Sequence, residues 1–150
     1  MVGRVSLLDR ALGDLKNARN IVKQYLSDEV QLDIAAYHVQ QGIEKSLKYF
    51  MAGKKIEFKK THEIKILLDQ LDKVGIEYPE WLYLNEATIT SFAEETRFGE
   101  PSKATQRKLL ELLELAEQFA SDIQQQLQQQ ERSTILYSNN LDNIVNNERT

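Results

Sequence analysis

Four polar residues on one predicted helix carry groups suited to holding an anion: Gln41, Glu44, Lys45 and Lys48. Their separations of three, four and seven let them share a helix face. A lysine-rich loop follows, with Lys54, Lys55, Lys59 and Lys60, and then Thr61 and His62. Ammonium, amide and imidazole groups in this order suit recognition of a phosphate. The same set also suits a solvated face with helix ion pairs and a solubilising loop. His62 has two readings of its own. It donates to a phosphate beside the loop, or it is a structural histidine bonding backbone or Glu44.

Other chemistry has little support. Zero cysteine removes disulfides, thiol nucleophiles and cysteine-ligated metal sites. His38 and His62 are the two imidazoles and stand far apart in sequence. No glycine-rich phosphate loop, HExxH or nucleophile elbow occurs. Glu94 and Glu95 are adjacent, so on a helix they point apart and read as surface charge. No catalytic residue, metal ligand or cofactor is expected. The net charge is -4, but it is uneven. Residues 45–65 hold seven lysines against Glu57 and Glu63, a local +5 that leaves -9 elsewhere. Such a patch can attract phosphate on an acidic protein.

At 150 residues, 41% hydrophobic and 28% charged, the chain has the make-up of one soluble domain. Six glycines and two prolines leave room for long helices. No apolar run approaches the roughly 18 residues of a membrane span, and the first residues lack a signal-peptide core. A cytoplasmic protein without membrane contact is expected.

Leu8, Ala11, Leu15, Ala18, Val22 and Tyr25 predict a helix over 6–26 with Ser6 as its cap. A second, over 31–52, has a stripe of Leu32, Ala36, Val39, Ile43, Ser46 and Phe50. Tyr37, Gln41, Glu44 and Lys48 fall opposite. Gly42 is an interior glycine that a close helix approach would justify. Gly53 is expected to end this helix in a left-handed conformation. Thr61 is expected to cap the third, which places His62 in its first turn. Pro79 opens a fourth helix reaching Arg97, with a stripe of Trp81, Leu84, Thr88 and Phe92. Ser102 caps a fifth to Gln130, with Leu109, Leu112, Ala116, Phe119, Ile123 and Leu127. The fold class is therefore all-α, an antiparallel up-down helical bundle of four main helices plus one short helix. It occupies residues 1–130, and 131–150 form an Asn-rich C-terminal tail, flexible or ordered by a partner.

Tyr37 to Lys48, with Lys60-Thr61-His62-Glu63-Ile64 and Leu67-Leu68, resembles the HEPN (higher eukaryotes and prokaryotes nucleotide-binding) domain. The shared pattern is Gln-x-x-Glu-Lys-x-x-Lys on one helix, Thr-His opening the next, and an Arg-Tyr pair closing the fourth. Arg97-Phe98 stands at that last place. The resemblance covers about residues 7–127 and implies a helical bundle, frequent homodimers and a minimal nucleotidyltransferase partner in toxin–antitoxin-type modules. It implies nucleotide or RNA phosphate contacts at Gln41, Lys45, Lys48, His62 and Arg97, with Glu44 and Thr61 as structural or interface polar residues. Some branches are metal-independent ribonucleases with an Arg-x4-6-His motif. This chain has no histidine after His62, so catalysis is not expected. The alternatives are a ribonuclease toxin and a non-enzymatic dimerising module.

Overall fold

A computed structural model describes residues 6–25, 27–94 and 104–148, with residues 140–148 described by backbone alone. Among these residues there are five helices and no strand: α1 (Leu7–Gln24), α2 (Glu29–Gly53), α3 (Ile64–Lys73), α4 (Glu80–Ser91) and α5 (Gln106–Glu148). Arg97, Phe98 and the expected cap Ser102 lie outside the described residues. The chain forms two units, 1–120 and 121–150.

Ser6 caps α1 as expected. Its hydroxyl accepts from the Asp9 backbone N–H at 3.0 Å, and the Asp9 carboxylate accepts from the Ser6 N–H at 3.1 Å. This reciprocal pair satisfies two N–H groups that the helix itself leaves open. Asp28 caps α2 by accepting from Val30 N and Gln31 N. The predicted stripe of α1 is buried through Leu8, Ala11, Leu15, Ala18 and Val22, while Tyr25 is exposed.

The second helix is central to the first unit. Its buried residues are not confined to one stripe: Ala35, Val39, Ile43, Leu47 and Met51 are fully enclosed, and so is Gln40. Glu44, expected on the solvated side, is buried too. A helix enclosed on several sides has no clean polar face for a periodicity count to find. Gly42 lies against α1. A Cβ built there falls 2.5 Å from Leu15 Cδ2, 2.7 Å from Leu15 Cγ and 3.3 Å from the Ala11 carbonyl oxygen. The close approach anticipated for this glycine is present.

The end of α2 differs from expectation. Gly53 is still helical, and the left-handed residue is Lys55, at φ 60°. Ile56 N donates to Met51 O at 2.9 Å and Lys55 N to Ala52 O at 3.0 Å. These are the two bonds of a Schellman motif, with Lys55 at the C′ position. The end of α3 repeats the motif with a glycine, Gly75, at φ 71°. A lysine there has the Cβ clash that a glycine lacks. Lys55→Gly is expected to stabilise the fold by about 0.5–1 kcal/mol and Gly75→Ala to cost about 1 kcal/mol, by urea unfolding.

The fourth helix buries Leu82 and Ile89, with Phe92 just past its end, and exposes Leu84 and Thr88. Its stripe is rotated from the predicted one. Trp81, Leu82, Tyr83 and Leu84 are consecutive apolar residues, so their spacing does not select a face. In the first unit, α5 buries Leu109, Leu112 and Ala116 as predicted. Phe119 meets Phe50 of α2 and Trp81 of α4 edge-on, with ring centroids 6.0 and 6.2 Å away. Arg19 of α1 donates to Glu117 at 2.6 Å.

The expected change of character at Glu131 is not a change of secondary structure. The helix continues to Glu148, through a stretch free of glycine and proline. In this second unit Ile135, Leu136 and Tyr137 are exposed.

Candidate anion-binding site

Two carboxylates, Asp14 of α1 and Glu44 of α2, each hold one lysine and one histidine. Asp14 of α1 accepts from Lys45 Nζ at 2.7 Å and bonds His38 Nδ1 at 3.0 Å. Glu44 accepts from Lys48 Nζ at 3.0 Å and bonds His62 Nδ1 at 2.8 Å. The set Gln41, Glu44, Lys45 and Lys48 is thus divided between two clusters.

The Glu44 cluster is built on an i, i+4, i+8 row, Gln40–Glu44–Lys48. Gln40 Nε2 donates to Glu44 Oε1 at 2.9 Å and reaches the His62 carbonyl at 3.3 Å. Gln41 Nε2 donates to Gln40 Oε1 at 2.7 Å. Gln40 therefore joins the helix to the following loop. Sequence reasoning passed over it in favour of Gln41, although its spacing to Glu44 and Lys48 was a visible signal. Glu44 is 5% exposed at its side chain. Burial alone would raise its carboxyl. The hydrogen bonds from Gln40, His62 and Lys48, with the Lys48 charge, outweigh burial and hold it below its ordinary value of 4.5.

His62 sits differently from the expectation. The third helix begins at Ile64 with Glu63 as N-cap, so His62 precedes its first turn. The Thr61 hydroxyl accepts from Glu63 N at 3.0 Å, closing a local turn rather than capping the helix. Ile64 N donates to the Thr90 hydroxyl of α4. The field of a helix N-terminus is thus not what places His62. Its place comes from Glu44, and its ring is nevertheless 75% exposed. The reading in which His62 bonds Glu44 is the one observed, at an open rather than a partly buried position.

The loop is held in place from both sides. Gln70 of α3 accepts from Lys59 N at 3.0 Å and donates to the Glu57 carbonyl at 3.1 Å. Ile56 and Phe58 are half-buried, as their alternation suggested. Lys48 Nζ lies 5.5 Å from the Phe58 ring centroid and Lys54 Nζ 5.8 Å from that of Phe50. Lys54, Lys55, Lys59 and Lys60 are exposed. Among the described residues, no group of three or more His, Asp and Glu side chains is placed to hold a metal ion. No described helix is long and apolar enough to cross a membrane.

Among the described residues the fold is all-helical, and an exposed imidazole bonded to a buried carboxylate follows a lysine-rich loop between α2 and α3, which defines the class as a helical domain with a basic hairpin. Within that class the chain belongs to the HEPN domain family, whose model matches residues 5–126. Membership supports a nucleotide- or RNA-related role. No curated protein and no solved structure matches the chain.

Proposed function

We propose that this HEPN-domain protein binds a nucleotide or RNA phosphate through the α2–α3 hairpin. In this reading it has no catalysis of its own and acts in the cytoplasm with a minimal nucleotidyltransferase partner, in a toxin–antitoxin-type module. The observation that supports it most is the exposed His62 ring, preceded in the chain by exposed Lys59 and Lys60. Lys45 and Lys48 are each held by a carboxylate that offsets their charge, so they reach a phosphate only by exchanging that partner for it. Gln41 remains a polar contact at the edge of the cluster, and Arg97 a second cation. Glu44 and Thr61 are structural, shaping the carboxylate hub and the turn beneath His62. In this reading the helices of the first unit pack as an antiparallel up-down bundle, and 131–150 is a region for a partner.

Titration with nucleoside triphosphates and short RNAs at low salt tests this reading. Lys59→Ala with Lys60→Ala is expected to weaken binding roughly tenfold and to flatten its salt dependence. Absence of binding at low salt would refute it.

A homodimer is part of the same proposal. Val30, Ile34 and Tyr37 recur at i, i+4 and i+7 on α2 and are exposed. An apolar row of this kind favours a protein contact. Light scattering should give a dimer mass for the wild type and a monomer mass for Ile34→Glu. A wild-type monomer at every concentration would exclude the dimer.

A further inference from the structure

We propose that His62 is a phosphoryl-acceptor position, its Nε2 presented to solvent as a nucleophile by the Glu44 carboxylate. The inference uses the same lysine-rich hairpin as the proposed anion binding but stands on the geometry of the ring. His62 Nδ1 lies 2.8 Å from Glu44 Oε1. An ionised carboxylate only accepts, so in the neutral ring the proton sits on Nδ1 and the lone pair on Nε2. Glu44 is 5% exposed and His62 is 75% exposed. One edge of the ring is therefore anchored in the fold, and the opposite edge reaches solvent. Lys59 and Lys60, both exposed and close in the chain, favour approach of an anionic donor. His38 supplies the internal contrast. It has the same Nδ1-to-carboxylate bond, to Asp14, but its ring is 26% exposed and packs edge-on to Tyr37. It has the orientation without the access.

The step is a nucleophilic displacement at phosphorus. The Nε2 lone pair forms an N–P bond as the bond from phosphorus to the leaving group breaks. The leaving group departs with that electron pair and takes a proton from solvent. Nδ1 keeps its proton, so the substituted ring is cationic, and the Glu44 carboxylate offsets that charge. Nothing is oxidised or reduced. The donor class is a small molecule with a transferable phosphoryl group, such as an acyl phosphate or a nucleoside triphosphate.

Potassium phosphoramidate is the probe, applied to the full chain near neutral pH. Intact mass, acid lability and phosphorus NMR then report histidine phosphorylation. The expected result is one acid-labile phosphoryl group per chain, absent from His62→Gln, with His38 the slower site. A free peptide spanning Lys59 to Lys65 gives the rate of the same ring without its carboxylate. The folded chain should react faster than the peptide. Glu44→Gln should slow the folded chain roughly tenfold, because a neutral amide can accept from or donate to Nδ1 and does not offset the charge of the substituted ring. Circular dichroism establishes that the variant is folded, and the peptide comparison decides the matter if it is not. Equal labelling of His38 and His62, or a His62 rate no faster than the peptide's, would overturn the proposal. Oligonucleotide binding is measured separately, so its absence would remove the anion-binding reading without touching this one.

Discussion

Glu44→Ala should destabilise the protein by about 2–4 kcal/mol, the largest effect expected from one polar substitution. The carboxylate is the common acceptor of Gln40, Lys48 and His62. Its removal leaves the fully buried Gln40 amide with the His62 carbonyl at 3.3 Å as its remaining acceptor. It also leaves Lys48, largely enclosed, without its counter-ion. His62 is exposed and turns to water at little cost, which keeps the total below that of a fully enclosed triad. The pH dependence follows from the lowered carboxyl. A carboxyl with a folded pKa below its unfolded value of 4.5 stabilises the fold above that pH. The contribution is lost as pH falls through the folded value. Urea unfolding of wild type and Glu44→Gln should therefore differ most near neutrality and converge below pH 4.5. A gap that is constant from pH 7 to pH 3 would mean that Glu44 acts through shape alone.

Gly42→Ala is the second large effect, and its sign opposes intrinsic preference. In an open helix the change would gain about 1 kcal/mol. Here the new Cβ meets two Leu15 side-chain atoms at 2.5 and 2.7 Å, and Leu15 is itself buried. The Ala11 carbonyl at 3.3 Å limits retreat along the helix. Overpacking of this kind costs about 1–3 kcal/mol, so a net loss of about 1–2 kcal/mol is expected in chemical denaturation. Combining the change with Leu15→Ala gives a double-mutant cycle. The two substitutions should be less costly together than their separate effects predict, because the smaller Leu15 vacates the space the new methyl needs. Additive losses would show that the clash is relieved elsewhere.

The helices were legible in the sequence because their punctuation is chemical. Ser6, Gly75 and Pro79 each stand at or beside a helix end, and the 3–4 spacing of Leu8 to Val22 buries as it predicts. Two kinds of feature were not legible. The first is packing around α2. A helix covered on several sides buries Gln40 and Glu44 with Leu47, and no count along the chain separates a buried glutamate from a solvated one. The second is a contact between distant segments. Lys45 turns to Asp14 and Lys48 to Glu44, although both lysines sit on one short run of α2. Gln70 clamps the basic loop from a helix that the residue pattern left unconnected to it. For His62 the sequence offered two partners, phosphate or Glu44, and the structure shows the second without closing the ring off from solvent.

The chain has two histidines, and each is bonded through Nδ1 to a different carboxylate. In a nitrogen-labelled sample this gives two Nδ1–H lines, which His38→Gln assigns. One line watches the junction of α1 with α2 through Asp14. The other watches the junction of α2 with the basic loop through Glu44. A hydrogen-bonded Nδ1 proton exchanges slowly only while its junction is closed. Heating, denaturant or an added ligand that opens one junction before the other would erase one line and leave its neighbour. The protein thus contains its own pair of local probes, reporting whether the hairpin and the two-helix core behind it come apart together or in turn.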